Sequence, residues 1–243
     1  MRVFAKSDVG KARENNQDYY YISKTEDELL LYILADGMGG YRGGDIASSL
    51  ATNAVRSYIE SNFKDTLKER EEILKLIKNA IEYANMVVFE KSKDTKELIG
   101  MGTTLEVCLI YNNKAYIGHV GDSRIYRIRK QFMRKITRDH SYVEDLVKDG
   151  TITKEQAATH PKKNMLTKAL GCSAFVEPDM MVKGFLKDDI LLICSDGLTN
   201  MVTEEEIYKI LLEDVSLSAE KLIQKANDSG GYDNITAIII QNS

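Results

Sequence analysis

The chain has 243 residues, 43% of them hydrophobic, and a formal net charge of −4 at pH 7. This length and apolar content suffice for one substantial core, and the acidic balance gives no reason to expect nucleic-acid binding. No apolar run is long enough to cross a bilayer, and residues 1–8 lack the apolar segment of a signal peptide. We therefore expect a cytoplasmic protein with no nucleic-acid or membrane partner. Because no heptad pattern suggests assembly, we expect a monomer.

The first part of the chain predicts strands separated by a polar cluster. Residues 3–7 are strand-like, and the polar cluster at 13–18 is followed at once by an aromatic, strand-like run at 19–22. After a charged turn, an apolar run at 29–35 ends abruptly in Asp36, so the last two strands are expected to form a hairpin. A buried strand that ends in an acid is unusual, because burying a charge is costly unless the charge is paired or binds a metal.

Two helices are predicted after the glycines that follow this acid. Apolar residues recur every fourth position after Asp45, whose carboxylate near the helix start would suit capping and the helix dipole. A second amphipathic pattern runs from about Leu67 to Phe89. Neither pattern concentrates candidate ligands, so both helices are expected to be packing layers.

The second half of the chain places acids beside strands again. Asp122 interrupts strand-like segments at a glycine, Asp196 ends the apolar run at 190–194, and Asp233 precedes a closing strand. Asp-Gly pairs are commonly ordinary turns, so no single acid identifies a site. Residues 137–171 are mostly polar, with two short helices and few apolar anchors, and we expect them to form a mobile flap over a neighbouring site.

The order of strands and helices lacks the strict alternation of a parallel sheet and favours an α+β sandwich of mainly antiparallel sheets covered by helices. In such a fold Asp36, Asp196 and Asp233 are expected to converge, with Asp18 and Asp122 joining them. Clustered carboxylates raise one another's pKa values, and a cation keeps them ionised. Oxygen donors without a cysteine or histidine cluster favour Mg²⁺ or Mn²⁺ over Zn²⁺.

Such a cluster suits a pair of ions that share one carboxylate and activate a water for phosphate-ester hydrolysis. An arginine beside it would hold the phosphoryl group through paired hydrogen bonds, and Arg13 is placed to do so. The glycines after Asp36 could instead form a helix-entry turn or a phosphate cradle, although they complete neither a Walker nor a dinucleotide-binding fingerprint. The hypothesis of metal-dependent phosphate-ester hydrolysis depends on the joint occurrence of the acids, the arginine and the glycines.

Seven short motifs together resemble the metal-dependent protein phosphatases (the type 2C serine/threonine phosphatases), most closely the compact bacterial-type members. They occur in family order over nearly the whole chain: DVG (8–10), RENNQD (13–18), LADGMGG (34–40), MGTT (101–104), GHVGDSR (118–124), CSDGL (194–198) and DNIT (233–236). The resemblance implies a four-layer α-β-β-α sandwich and a single catalytic domain over residues 1–243, with the flap at about 137–171. It also implies hydrolysis of phosphoserine and phosphothreonine by metal-activated water.

The resemblance further implies two Mg²⁺ or Mn²⁺ ions. Asp36 would bridge them, Asp196 and Asp233 would complete the first site, and the Gly37 carbonyl would serve the second. Asp18 would bind the second ion directly or through water.

Other roles follow from the same resemblance. Arg13 would hold the substrate phosphate, and Asp122 with Asp196 would bind a weaker third ion. His160 in the flap would face the site. Met38 stands where some relatives have a proton-donating histidine, so the acid that protonates the leaving group is either a metal-bound water, which we rank first, or His160.

Two other functions remain open at this stage. A catalytically inactive phosphoprotein-binding module would have lost metal carboxylates, and all five acids are present here. The second alternative is an enzyme dedicated to one regulatory partner. The lack of an added sensor domain favours a general phosphatase that acts on phosphorylated proteins. The resemblance implies that it opposes a bacterial-type serine/threonine kinase.

Overall fold

A computed structural model describes the backbone of residues 1–243 and the side chains of residues 1–39 and 43–243. The strands are β1 (Arg2–Asp8), β2 (Asp18–Ile22), β3 (Leu30–Met38), β4 (Gly102–Thr103), β5 (Leu105–Tyr111), β6 (Lys114–Val120), β7 (Arg124–Arg129), β8 (Phe132–Lys135), β9 (Asp179–Gly184), β10 (Ile190–Cys194) and β11 (Ile235–Gln241). The helices are α1 (Gly40–Asn62), α2 (Arg70–Lys91), α3 (Tyr142–Lys148), α4 (Lys154–Ala158), α5 (Asp196–Thr199), α6 (Glu204–Glu213) and α7 (Val215–Asp228), with a 3₁₀ turn at Lys96–Leu98.

The strands form two antiparallel sheets. One sheet has the order β1-β11-β10-β7-β8, and the other has the order β2-β3-β5-β6-β9, with β4 paired to β3. Three clusters of buried apolar side chains separate the layers. One packs α1 and α2 on the second sheet, one lies between the sheets, and one packs α6 and α7 on the first sheet. The expected α+β sandwich of four layers, α-β-β-α, is confirmed.

The hairpin of β2 and β3 is also confirmed, but β3 does not end at Asp36. It continues to Met38 because β4 pairs with its last residues, Gly37 opposite Thr103 and Met38 opposite Gly102. Asp36 therefore lies within a strand, where its backbone is fixed by a sheet neighbour.

The start of α1 differs from the prediction. The helix begins at Gly40, with Gly39 as its N-cap, so Asp45 lies inside the helix and the prediction that it caps the start is wrong. Gly43 and Gly44 lie inside this helix, where the lack of a side chain permits close packing: a Cβ on Gly44 would stand 2.8 Å from the carbonyl carbon of Gly37.

The segment at 137–171 contains α3 and α4. Thr153 and Gln156 form a capping box at the start of α4, as the sequence predicts. Val143 is buried in α3, and α4 has no buried residue. None of the described helices combines the length and the apolar character needed to span a membrane.

Candidate active site

A cavity of about 670 Å³ opens where the two sheets end beside α1 and α5. Most of the acids that the sequence singles out line it, and so do a glycine and an arginine: Asp36, Asp122, Asp196, Asp233, Gly37 and Arg13. Asp18 does not line the cavity, but it lies opposite Asp36 in the β2–β3 pair and is only 7% exposed. The structure therefore brings together residues from five separate parts of the chain.

Asp36 is at the centre of this group, and its backbone is held by the last residue of β4 and the residue after it. Its N–H donates to the Thr104 hydroxyl (3.0 Å), and its carbonyl accepts from the Thr104 N–H (2.8 Å) and the Thr103 hydroxyl (2.9 Å). These bonds explain why two adjacent threonines follow Gly102. They fix the direction in which the carboxylate enters the cavity.

Burial, together with the charges of the neighbouring acids, raises the pKa of Asp36 well above its ordinary value. The contributing carboxylates are Asp18, Asp196, Asp122 and Asp233. Burial and the charge of Asp196 also raise the pKa of Asp122 to about 8. Such mutual repulsion is the electrostatic condition that a divalent cation would relieve.

Asp18 lies in a similar environment. Burial raises its pKa to about 7, although hydrogen bonds from Thr236 and Ser195 oppose the shift. Those two bonds go to Oδ2, whereas Oδ1 is buried and has no hydrogen-bond partner within the described part of the chain. A buried carboxylate oxygen without a partner is costly, and a bound cation is one way to satisfy it.

Asp196 and Asp233 are presented by two turns that press against each other. A Cβ on Gly197 would overlap the carbonyl oxygen of Asn234, so only glycine permits this approach. The Asn234 side chain accepts from the Gln17 N–H (2.8 Å) and donates to the carbonyls of Val9 and Asn15 (2.9 Å each). These hydrogen bonds hold the polar segment 9–17 beside the site.

Protein donors already bind several of these carboxylates. Arg13 Nη2 donates to Asp233 Oδ2 (2.9 Å), and Asn200 Nδ2 donates to Asp196 Oδ2 (3.0 Å). Burial raises the pKa of Asp196, and the charge of Asp233 adds to this, while hydrogen bonds with Asp36 and Asn200 lower it. Among the side chains that are described, no three histidine, cysteine, aspartate or glutamate groups stand close enough together to hold one ion. Small rotations of the carboxylates would therefore accompany metal binding.

The chemistry of the donor set fits a hard divalent cation. The described residues that line the cavity include four aspartates, the Gly37 carbonyl and no histidine or cysteine. Oxygen donors of this kind suit Mg²⁺ and Mn²⁺ rather than Zn²⁺. The buried, unpartnered Oδ1 of Asp18 is consistent with the same conclusion.

The structure does not bring His160 to this cavity. Its ring lies against Tyr142, with the ring centroids 5.9 Å apart, and its Nδ1 accepts from the Lys162 N–H (3.1 Å). The flap residues that do line the cavity are Asn164 and Leu166. Met38 also lines the cavity, and its thioether has no proton to donate.

Sequence reasoning missed several residues of the site. Thr104, Asn234 and Asn164 line the cavity, yet no role was assigned to them from the sequence. Thr104 and Asn234 lie inside the MGTT and DNIT motifs, and this position was the available signal. Nothing in the polar segment around Asn164 distinguishes it before the fold is known.

The chain is similar to known proteins in both sequence and fold. A family model described as protein phosphatase 2C matches residues 10–229. The chain is 40% identical to the serine/threonine phosphatase stp of Listeria innocua, an alignment that covers 99% of this chain and 96% of that protein. It is 39% identical to the protein phosphatase PhpP of Streptococcus pneumoniae, with 99% and 97% covered.

Solved structures agree with these sequence relatives. The serine/threonine phosphatase of S. agalactiae superposes with a TM-score of 0.91 at 37% identity, covering 100% of this chain and 99% of that one. The catalytic domain of the serine/threonine protein phosphatase PstP, in complex with two manganese ions, gives a TM-score of 0.85 at 33% identity, with 98% and 96% covered.

The chain belongs to the protein phosphatase 2C family. It is a metal-dependent serine/threonine protein phosphatase of the bacterial type, and its substrates are phosphorylated proteins.

Proposed function

We propose that the carboxylate cavity is the catalytic centre and that Asp36 is its bridging ligand. The observation that carries this assignment is the position of Asp36, which lines the cavity with Asp122, Asp196 and Asp233 and lies opposite Asp18 in the β2–β3 pair. Burial, and after it the charges of these four acids, raise the pKa of Asp36 well above its ordinary value. In this proposal Asp196 and Asp233 hold one Mg²⁺ or Mn²⁺ ion with Asp36. The Gly37 carbonyl and Asp18 serve the second ion.

Bound divalent ions would lower the pKa of a shared water and neutralise charge on the phosphoryl group. The chain's own residues position the reactants. The strand β3 and the threonines 103 and 104 hold Asp36, while the Gly197–Asn234 contact sets the spacing of Asp196 and Asp233.

Arg13 is the proposed phosphate-binding residue. Its guanidinium has five N–H donors, and the hydrogen bond to Asp233 uses one of them. The remaining donors allow paired hydrogen bonds to phosphoryl oxygens at the mouth of the cavity.

A third, weaker ion is proposed at Asp122 and Asp196. Both residues line the main cavity and also a second cavity of about 510 Å³, bounded by the flap and α5. Their shared position between the two cavities supports a separate site there.

The wider role is proposed from the relatives. We propose that residues 1–243 act as one monomeric catalytic domain in the cytoplasm, with residues 137–171 as the flap. The protein would reverse the action of a bacterial-type serine/threonine kinase.

Hydrolysis of phosphoserine, phosphothreonine and phosphotyrosine peptides, each with Mn²⁺, Mg²⁺ or EDTA, tests the reaction. We expect hydrolysis of the first two peptides with either metal and none in EDTA. Undiminished activity in EDTA, or a strong preference for phosphotyrosine, would contradict the proposal.

The Asp36→Asn variant tests the bridging assignment. Removing the shared negative charge should lower kcat by at least about 100-fold, since metal stabilisation of the transition state is worth several kcal/mol. Asp94→Asn is the matched control, because Asp94 is exposed, forms an ion pair with Lys91 (2.8 Å) and does not line the cavity. Substantial activity of Asp36→Asn at saturating Mn²⁺ would exclude the bridge.

A further inference from the structure

Two hydroxyl groups from one sheet bind the same carboxylate oxygen of the other sheet. Asp18 begins β2, whereas Ser195 follows β10 and Thr236 lies in β11. Ser195 Oγ donates to Asp18 Oδ2 (2.8 Å), and Thr236 Oγ1 donates to the same oxygen (2.7 Å). Both hydroxyl residues are 0% exposed, so water does not replace these donors.

The surrounding hydrogen bonds fix the direction of each hydroxyl proton. Ser195 Oγ accepts from the Thr236 N–H (2.9 Å). Thr236 Oγ1 lies 2.7 Å from Ser7 Oγ, which itself accepts from Asn16 Nδ2 (2.8 Å). A hydroxyl has a single proton. Since Thr236 donates its proton to Asp18, Ser7 must be the donor to Thr236.

The hydroxyl protons of Ser195 and Thr236 therefore both point to Oδ2 of Asp18. The other oxygen, Oδ1, is buried and lacks a partner among the described residues. Asp18 also lies directly opposite Asp36 in the strand pair. The two oxygens of one carboxylate thus have separate environments: one is bound by two hydroxyls, and the other is available.

We propose that Ser195 and Thr236 are positioning residues that anchor Oδ2 of Asp18 and so direct Oδ1 to a divalent cation. The proposal rests on the proposed function of Asp18 as a metal ligand. Ser195 directly precedes Asp196, and Thr236 follows Asp233 by three residues. The same two chain segments therefore carry the two proposed ligands of the first site and the hydroxyls that orient Asp18.

Loss of either hydroxyl has a defined consequence. The carboxylate of Asp18 would then rotate more freely. Binding the ion would have to order it, and this cost would weaken the binding of the ion. Residues that orient metal ligands in this way typically change metal affinity by about 10- to 100-fold when they are replaced. The inference therefore predicts weaker Mn²⁺ binding without any change to a ligand.

Thr236→Val, Thr236→Ser and the wild type provide the test. Valine keeps the shape of threonine and removes the hydroxyl, whereas serine keeps the hydroxyl. Mn²⁺ dissociation constants are measured by calorimetry or from the electron paramagnetic resonance signal of free Mn²⁺, with no substrate present. We expect Thr236→Val to bind at least one Mn²⁺ about 10-fold more weakly and Thr236→Ser to bind within about threefold of the wild type.

Thr52→Val is the matched control. Thr52 is buried in α1, and its hydroxyl has no hydrogen-bond partner in the described structure, so this variant should bind Mn²⁺ as the wild type does. Ser195→Ala is the second test variant and keeps the inference testable if Thr236→Val does not fold, as judged by circular dichroism.

Two outcomes would overturn the inference. Mn²⁺ binding that is unchanged in both Thr236→Val and Ser195→Ala would exclude a positioning role. Equal weakening in Thr236→Val and in Thr236→Ser, which keeps the hydroxyl, would show that the hydroxyl does not set the affinity and would assign the effect to altered packing at this position. A separate variant, Asp18→Asn, tests the underlying assignment: wild-type affinity in that variant would remove Asp18 from the ligands, whatever the hydroxyl variants show.

Discussion

Arg13 and Asp233 form an ion pair at the mouth of the carboxylate cavity, with 53% and 38% of their side chains exposed. Exposed pairs of this kind contribute little to stability, about 0–1 kcal/mol. The pair therefore has little value as a structural contact. Because Asp233 is itself a proposed metal ligand, the pair places the Arg13 guanidinium where a substrate phosphate would bind.

We predict that Arg13→Ala raises KM for a phosphopeptide by about 10-fold or more, because hydrogen bonds to a charged group contribute about 1.5–3 kcal/mol. The melting temperature should change little. Arg13→Lys, which keeps the charge but cannot form paired hydrogen bonds, should be intermediate. Steady-state kinetics with Mn²⁺ measure the effect, and an unchanged KM in Arg13→Ala would argue against phosphate binding.

His160 has a different position from the one that the resemblance implies, because it packs on Tyr142 outside the cavity. A substrate that extends beyond the cavity could still reach it. We predict that His160→Ala leaves kcat for a small aryl phosphate within about threefold and raises KM only for phosphopeptides.

Asn164→Ala is the comparison for His160→Ala, since Asn164 lines the cavity and should affect both substrates. General acid catalysis contributes about 10²- to 10⁴-fold. A loss of that size with an aryl phosphate in His160→Ala would show that His160 protonates the leaving group after all.

At the scale of secondary-structure elements, the site depends on contacts that only glycine allows. Gly37 at the end of β3 meets Gly44 in the first turns of α1, and Gly197 in α5 meets the turn before β11. In both places backbone lies against backbone. The relative position of two ligand-bearing elements is set by the absence of a side chain.

We predict that Gly197→Ala destabilises the protein by about 1–3 kcal/mol, because its Cβ would overlap the Asn234 carbonyl and the two turns must separate. Mn²⁺ affinity should fall as well, since Asp196 and Asp233 lie on those turns. Gly184→Ala is the matched control: its nearest described atom would be 3.5 Å away, in the Arg129 side chain. Denaturant unfolding and Mn²⁺ titration measure both effects, and wild-type behaviour of Gly197→Ala would contradict this account.

At the scale of the whole molecule, the acid cluster links stability to pH and to metal. Burial raises the pKa of Asp18 to about 7 and that of Asp122 to about 8, from an ordinary value of 3.8. The folded protein therefore keeps protons that the unfolded chain has already lost. The stability that these two groups contribute is present at low pH and is lost as the pH rises through about 7 to 8.

Divalent ions bind the ionised carboxylates and compete with these protons. We predict that Mn²⁺ raises the melting temperature more at pH 8.5 than at pH 6. Other groups that titrate between these two pH values are present with and without metal and largely cancel in this difference. Differential scanning calorimetry with Mn²⁺ or EDTA at both pH values measures it. An equal or smaller shift at pH 8.5 would contradict the proposed link.

Much of the fold could be predicted from the sequence. Apolar periodicity predicted the hairpin that presents Asp36, and the order of strands and helices predicted the antiparallel sandwich, because both depend on local patterns. Acids placed beside glycines near strand ends predicted four of the carboxylates that line the cavity, Asp36, Asp122, Asp196 and Asp233. Motif order supplied the family.

Other features became apparent only in the folded protein. The extension of β3 past Asp36, the helical state of Gly43 and Gly44, and the position of His160 against Tyr142 all depend on neighbours distant in sequence. The two hydroxyls that bind Asp18 also come from distant parts of the sequence. Ser195 is 177 residues from Asp18, and Thr236 is 218 residues from it. Local propensity contains no information about which residues come into contact across two sheets, and these contacts orient the Asp18 carboxylate.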